Sequence, residues 1–460
     1  MTIRFSVWRV SPLLFAAAVW VQSAEGPQVF AILNARIVSV SRIPIEKGTV
    51  VIRDGLIDAV GANIDPPADA WVIDGAGLTV YPGLIDALST WGIPGAAPVA
   101  TTGAMRSGSS TTPTAAVASP VSTTAPAPAI SGPEDRPSNT SYLKAADQIV
   151  ATDRSIAAAR EAGFTTAITF PTTNIFAGQG AIFNLAGERA GGMIVSPSAG
   201  MYIAIRPAAP GSGARTFPGS LMGVIAYIRQ IYLDADHYKL ANEIYASHPQ
   251  GLQRPAYDRT LAAVLESPRI LLPASRAVEV DRMVRLGQEL KRSTVLYGGA
   301  EAWRSTELLQ QAKTPVLVSL KWPERPPTAD PESPDSLRVL EMRAKAPSTP
   351  GVLAKARVKF AFYSDGIANP KDVMKAVKKA IEAGLAPADA VRGTTLSAAE
   401  IYNVADRLGS IDKGKIANLV VTDGDLFQDR TKVKYVFVDG MKYEPQADSG
   451  PARKSVEGTQ

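Results

Sequence analysis

Side chains able to do acid–base, nucleophilic or metal chemistry are sparse in this chain. Its 460 residues include two histidines, His237 and His248, and no cysteine, so no thiol is present for catalysis, disulfides or soft-metal ligation. Asp234, Asp236, His237 and His248 could in principle gather a cation. Their spacing matches no metal motif, and the plainer reading is the polar face of a surface helix. A Ser–His–Asp relay has no support, because both imidazoles fall in one helical segment and no nucleophile-elbow motif is present. Asp365, in Phe360-Ala361-Phe362-Tyr363-Ser364-Asp365-Gly366, could act as a general base or partial metal ligand. An Asp-Gly pair also forms tight turns in its own right. Glu301 could serve chemistry, or it could place a negative charge at the start of a helix expected over 300–312. Gly178-Gln179-Gly180 would let a ligand approach the backbone closely, or would meet a loop's need for positive φ.

Several elements must position these residues. Val50–Arg53, the turn Asp54-Gly55 and Leu56–Val60 form a hairpin signal, and 72–75 and 78–81 continue the strand pattern. Near the other end, 418–423 and 434–438 repeat it, with a turn at Asp439-Gly440. Two strand-rich ends flanking a mixed middle predict one sheet domain built from both termini. The middle alternates strand and helix. Strands are expected at 165–170, 269–272, 294–297, 316–319 and 358–363, and helices at 142–162, 278–290, 300–312 and 371–383. Such repeated units argue for a parallel barrel with helices outside. Residues 221–247 read as one or two amphipathic helices. Between Gly92 and Gly132 the chain collapses to Ala, Thr, Ser, Pro and Gly with Arg106 as its one charge, a composition that buries little and predicts a mobile insert after the first barrel strand.

Length alone suggests two or three domains. Lys plus Arg number 48 against 43 acids, and no run of five like charges occurs, so nucleic acid is not expected as a partner. Arg4, Arg9 and the apolar run Leu13–Val21, with Ser23 at the cleavage position, read as a secretory signal too short to span a bilayer. A periplasmic or secreted protein follows as the expectation, with no membrane association of the mature form.

Longer motifs carry a resemblance. Gly48–Gly61, Val72–Ala87 (which contains Pro82-Gly83-Leu84-Ile85-Asp86-Ala87), Ala159–Pro171 and Asp406–Gln428 occur in the order found in the amidohydrolase superfamily. They look closest to its imidazolonepropionase-like branch. The resemblance implies a distorted (β/α)8 TIM barrel with a small composite β-sandwich formed by both chain ends. It also implies one or two metal ions at the barrel mouth, whose bound water is acidified for attack on an amide or ester carbonyl. In the family a His-x-His pair on the first strand, a His after strand five, a His after strand six and an Asp after strand eight supply the ligands. Here the corresponding positions hold Leu88 and Thr90, Pro273, Gly298 and Asp365. Four ligands are replaced and one is kept.

The resulting expectations are these. Residues 1–23 form a signal peptide, 24–82 and 405–447 the sheet domain, 83–404 the barrel with a low-complexity insert at 92–140, and 448–460 a disordered tail. The leading reading is an exported amidohydrolase-fold protein without metal-dependent hydrolysis and with no cofactor. It would bind a small molecule, or form a homo-oligomer or a hetero-oligomer with an active paralogue. Asp365 is the candidate catalytic residue, and Gly178, Gln179, Gly180 and Ser364 are candidate pocket residues. The alternative is a C–N bond hydrolase with a site rebuilt around Asp365, for which a zinc-like divalent metal would be the cofactor.

Overall fold

The computed structural model describes residues 29–96, 136–207, 217–327, 329–330 and 332–445. The expected signal segment, most of the 92–140 insert and the expected tail lie outside the described residues.

The first strands follow the hairpin logic of the sequence. Strands β1 (Phe30–Ile37), β2 (Ile45–Arg53), β3 (Leu56–Gly61), β4 (Trp71–Asp74) and β5 (Thr79–Pro82) precede the barrel. Asp54 and Gly55 both adopt left-handed φ, 51° and 77°, as a two-residue turn between right-twisted strands requires. The barrel strands are β6 (Leu84–Ser89), β7 (Phe164–Thr169), β8 (Phe176–Asn184), β9 (Ile194–Ile203), β10 (Ile270–Ala274), β11 (Thr294–Gly298), β12 (Val316–Ser319) and β13 (Phe360–Tyr363). The chain then returns through β14 (Leu419–Thr422), β15 (Val433–Val438) and β16 (Met441–Tyr443).

The two ends share one sheet in the order β16-β15-β14-β5-β1-β2-β3, with β4 paired to β1. Its seam is the antiparallel pair β14–β5, where Leu419 faces Pro82 and Thr422 faces Thr79. Apolar residues on one face of these strands close on a core that includes Ile32, Ile52, Leu419 and Phe437, while Ala31 and Val51, and Val436 and Val438, join two smaller clusters.

The second sheet runs from β6 to β13 in sequence order, and β13 packs back against β6, forming a nearly closed barrel. It is not wholly parallel. β8 runs antiparallel to both β7 and β9, so the third strand returns as a hairpin and no crossover helix separates it from the second. The sequence pattern suggests a loop at Gly178–Gly180, yet these residues lie within β8. The reason is local: Gly178 has φ 139°, and a Cβ there would stand 2.6 Å from the Leu143 carbonyl oxygen. Only glycine lets the segment before it run alongside this strand.

The outer helices also depart from expectation in places. The stretch expected to be helical over 142–162 forms a short 3-10 turn (Ala145–Asp147) and a helix (Arg154–Glu161). Asp153 caps the latter by accepting from the Ser155 N–H. The stretch expected over 300–312 is likewise broken, into Ala302–Arg304 and Thr306–Gln311. Residues 221–247 form one continuous helix, Leu221–Ser247.

Candidate functional site

In an eight-stranded barrel, side chains alternate between the interior and the helical layer, and chemistry in this architecture gathers at the C-terminal ends of the strands. One apolar cluster occupies the interior and includes Leu88, Ile168, Phe170, Tyr202, Leu271, Val295, Tyr297, Leu317, Ala361 and Tyr363. Pro273 is buried and lies directly across from Tyr297, which in turn pairs with Leu317.

Three tyrosines dominate this interior. Tyr202, Tyr297 and Tyr363 are each at most 1% exposed. Tyr202 and Tyr297 stack with centroids 5.1 Å apart, and the Tyr297 hydroxyl donates to the Ile203 carbonyl at 3.1 Å. Burial raises the Tyr297 phenol well above its ordinary value, and burial together with the nearby Asp365 does the same for Tyr363. Both therefore stay protonated and neutral at physiological pH.

The family-aligned positions fall as follows. Leu88 is fully buried within the interior cluster, and Thr90 follows the end of β6, half-buried. At the end of β11, Tyr297 belongs to the interior cluster whereas Gly298 does not. Gly298 has φ 115°, and a Cβ there would sit 2.6 Å from Ser275 Oγ. The position aligned with a ligand histidine is thus sterically reserved for glycine, and the inward-facing side chain next to it is a tyrosine.

Asp365 is 3% exposed, and its Oδ2 accepts from the Ser319 hydroxyl at 2.7 Å. It has φ 50° and Gly366 has φ 70°, so Asp365 also forms the tight Asp-Gly turn that closes β13. Ser364 links the last strand to the first: its backbone N–H donates to Asp86 Oδ1 at 3.1 Å, and the Leu88 N–H reaches the same oxygen at 3.3 Å. Asp86 is 1% exposed, and its Oδ2 has no hydrogen-bond partner among the described residues. Burial, with Asp365 nearby as a lesser cause and hydrogen bonds from Ser364 and Leu88 opposing, pushes the Asp86 carboxyl up to about 7. Asp86 stands inside the quoted first-strand motif, but sequence reasoning gives it no role. The available signal was a charged residue within an otherwise apolar strand, which is rarely buried without purpose.

The remaining candidates lie elsewhere. Gly180 belongs to β8, where a Cβ would overlap the Phe170 ring. The Gln179 amide donates to the Ala263 carbonyl and accepts from Ser198, toward the helical layer. The close approach that these glycines allow is to the chain's own Leu143 and Phe170. Glu301 is buried and stands at the N-cap of the 3-10 turn Ala302–Arg304, as expected for a residue opening that segment, but its side chain turns elsewhere: Oε2 accepts from the Ala277 N–H at 3.0 Å, at the start of the helix Ala277–Glu289. Asp234 and Asp236 are paired with Arg136 and Arg292, and the His248 ring contacts Ser247.

Among the described residues no group of three or more His, Cys, Asp or Glu side chains is placed to hold a metal ion. Among the described residues, Asp86, Asp365, Ser319 and Ser364 meet at the junction of the last strands with the first, beside neutral phenols. A catalytic zinc-type centre takes three protein ligands, mostly imidazole with carboxylate. The residues present do not fit such a centre.

Comparisons with known proteins agree with this architecture. Residues 340–442, which include Asp365 and the return to the terminal sheet, match the Amidohydrolase family model. An amidohydrolase from Thermotoga maritima MSB8 superposes with a TM-score of 0.70 at 23% identity, over 90% of this chain and 100% of that one. A prolidase complexed with N-methylphosphonate-L-proline superposes with a TM-score of 0.51 at 19% identity, over 91% of this chain and 100% of that one. A stretch of 89 residues is 39% identical to Adenine deaminase 1 of Desulfotalea psychrophila (strain LSv54 / DSM 12343), covering 17% of this chain and only 14% of that enzyme. The chain has the fold of these amidohydrolases, a TIM barrel with a separate sheet domain, and the family match over residues 340–442 supports the amidohydrolase superfamily.

Proposed function

We propose that this protein is an exported amidohydrolase-fold binding protein in which metal-dependent hydrolysis has been lost. The observation that carries the reading is the content of the barrel interior. Leu88, Pro273 and Tyr297 stand where or beside where the family places imidazoles, and the two stacked tyrosines fill the space with neutral, close-packed atoms. Among the described residues no imidazole belongs to this interior, and the carboxyl groups beside it, Asp86 and Asp365, number fewer than the three protein ligands that a catalytic cation centre takes. What remains is binding, either of a small molecule or of an active paralogue in a hetero-oligomer. Export rests on the N-terminal segment alone and is tested by fractionating cells that express the full chain.

A second reading keeps hydrolysis of a C–N bond. It is favoured by Asp86 and Asp365, two buried carboxyl groups brought together at the seam of β6 and β13, one of them titrating near neutrality. Asp365 would then serve as general base. The structural neighbours include hydrolases, among them the prolidase.

One assay separates the two. Purified protein and Asp365→Ala are incubated with N-acyl amino acids, dipeptides and cyclic amides, with and without added zinc. Binding without catalysis predicts the same background for both proteins under every condition. Turnover that Asp365→Ala abolishes would establish the second reading and remove the first.

A further inference from the structure

The long helix Leu221–Ser247 carries apolar residues on two opposite faces. Val224, Tyr227, Ile228, Ile231, Tyr232 and Ala235 are buried against the body of the protein. On the far side Met222, Leu233, Leu240 and Ile244 are 84%, 63%, 54% and 47% exposed, and Ala226 is exposed with them. At about 3.6 residues per turn these five positions fall within roughly 40° of one another, so they form a single row along the helix. None of residues 236–247 is buried. A continuous exposed apolar row marks an interaction surface, unlike scattered single apolar residues.

The order of residues along the row says what fits it. The row reads the same in both directions about Leu233: Ala226 and Leu240 stand seven residues to either side, and Met222 and Ile244 eleven. Its exposed flanks share that symmetry. Arg229 and Asp236 lie along one edge and Gln230 and His237 along the other, each pair astride Leu233. An antiparallel copy centred on Leu233 therefore meets apolar residues with apolar residues and opposite charges with each other. Met222 packs on the partner's Ile244, Ala226 on the partner's Leu240, and Leu233 on the partner's Leu233. Arg229 comes level with the partner's Asp236, and Gln230 with the partner's His237. Within its own chain Arg229 is paired with Glu289 at 2.7 Å and Asp236 with Arg292 at 2.8 Å. The contact joins these into a line of alternating sign, from Glu289 through Arg229 to the partner's Asp236 and the partner's Arg292. A parallel copy would instead set Arg229 and Asp236 each against its own kind, which complementary interfaces avoid.

We propose that this face binds a second copy of the chain, in a twofold dimer built on antiparallel pairing of the helix Leu221–Ser247 with Leu233 at the axis. A twofold interface uses one patch twice and so needs a patch complementary to itself, which is what the symmetry about Leu233 provides. The surface is separate from the barrel interior, so it stands whether or not the barrel retains catalysis.

The test uses the full chain. Sedimentation velocity over a concentration series should show a species of twice the chain mass. Leu233→Asp, which sets two carboxylates against each other at the axis, should weaken the dimer at least tenfold, and thermal melts confirm that the variant is folded. The register is read separately. The chain has no cysteine, so introduced thiols are the only ones a short bis-maleimide can join. Leu233→Cys should cross-link to itself, and Met222→Cys should cross-link to Ile244→Cys when the two are mixed, while Met222→Cys alone should not. A wild-type chain that stays monomeric at every concentration would overturn the proposal and leave the row to a different polypeptide. A dimer unaffected by Leu233→Asp would overturn it by placing the contact elsewhere, and self-cross-linking of Met222→Cys would overturn it by showing parallel helices.

Discussion

Replacing Asp86 with asparagine should make the protein more stable at alkaline pH and almost unchanged at acid pH. The Asp86 carboxyl is buried at the junction of the first and last barrel strands, with one oxygen unpartnered. Its pKa rises from the ordinary 3.8 to about 7, so the folded state holds this proton more tightly than the unfolded chain does. The associated stability is fully present below pH 4 and is lost as pH rises through 7. Each pKa unit corresponds to about 1.4 kcal/mol, so the loss between the two limits is roughly 4 kcal/mol. The substituted amide would keep an oxygen to accept the Ser364 N–H but would not ionise. Urea denaturation of wild type and Asp86→Asn at intervals between pH 4 and 8 measures the difference. The two proteins share every other titrating group, so the gap between the two curves reports Asp86 together with its coupling to the nearby Asp365. It should open with rising pH in favour of the variant. Parallel curves across the whole range would refute the reasoning.

Two further substitutions probe the packed barrel. Leu88→Ala removes a fully buried side chain from the interior cluster and should cost about 2–5 kcal/mol, read as a lower denaturation midpoint. A negligible change would mean the interior is loosely filled. Gly180→Ala drives a methyl into the Phe170 ring, and the displaced ring must move against Tyr202 and Tyr402. It should destabilise by about 1–3 kcal/mol, with altered near-ultraviolet circular dichroism from the tyrosines.

Much of the fold is legible because strands and helices carry their own periodicity. The strand expected at 316–319 and the helix expected at 371–383 form within a residue of those bounds, at Val316–Ser319 and Lys371–Glu382. The joining of both chain ends follows from matching turn signals at Asp54-Gly55 and Asp439-Gly440, all four of which take positive φ. The antiparallel third strand is not legible. Its glycines read as a turn, and only the close passage of Leu143 shows that they serve a strand. The site is half legible. That Leu88, Thr90, Pro273 and Gly298 are not histidines is visible as letters, yet what packs around them is not. Tyr202, Tyr297 and Tyr363 come from three separated strands, and nothing local marks them as neighbours. The role of Asp86 depends on the closure of β13 onto β6, a contact between residues 278 positions apart that local pattern does not encode.

The central claim is that this barrel lacks the donor set for a catalytic cation, and the metal content of the full chain tests it most directly. Protein expressed in metal-replete medium and purified without chelator would be analysed by inductively coupled plasma mass spectrometry. The account predicts zinc, iron and manganese far below one ion per chain, with no change after Asp365→Ala. About one ion per chain, lost on Asp365→Ala, would contradict it.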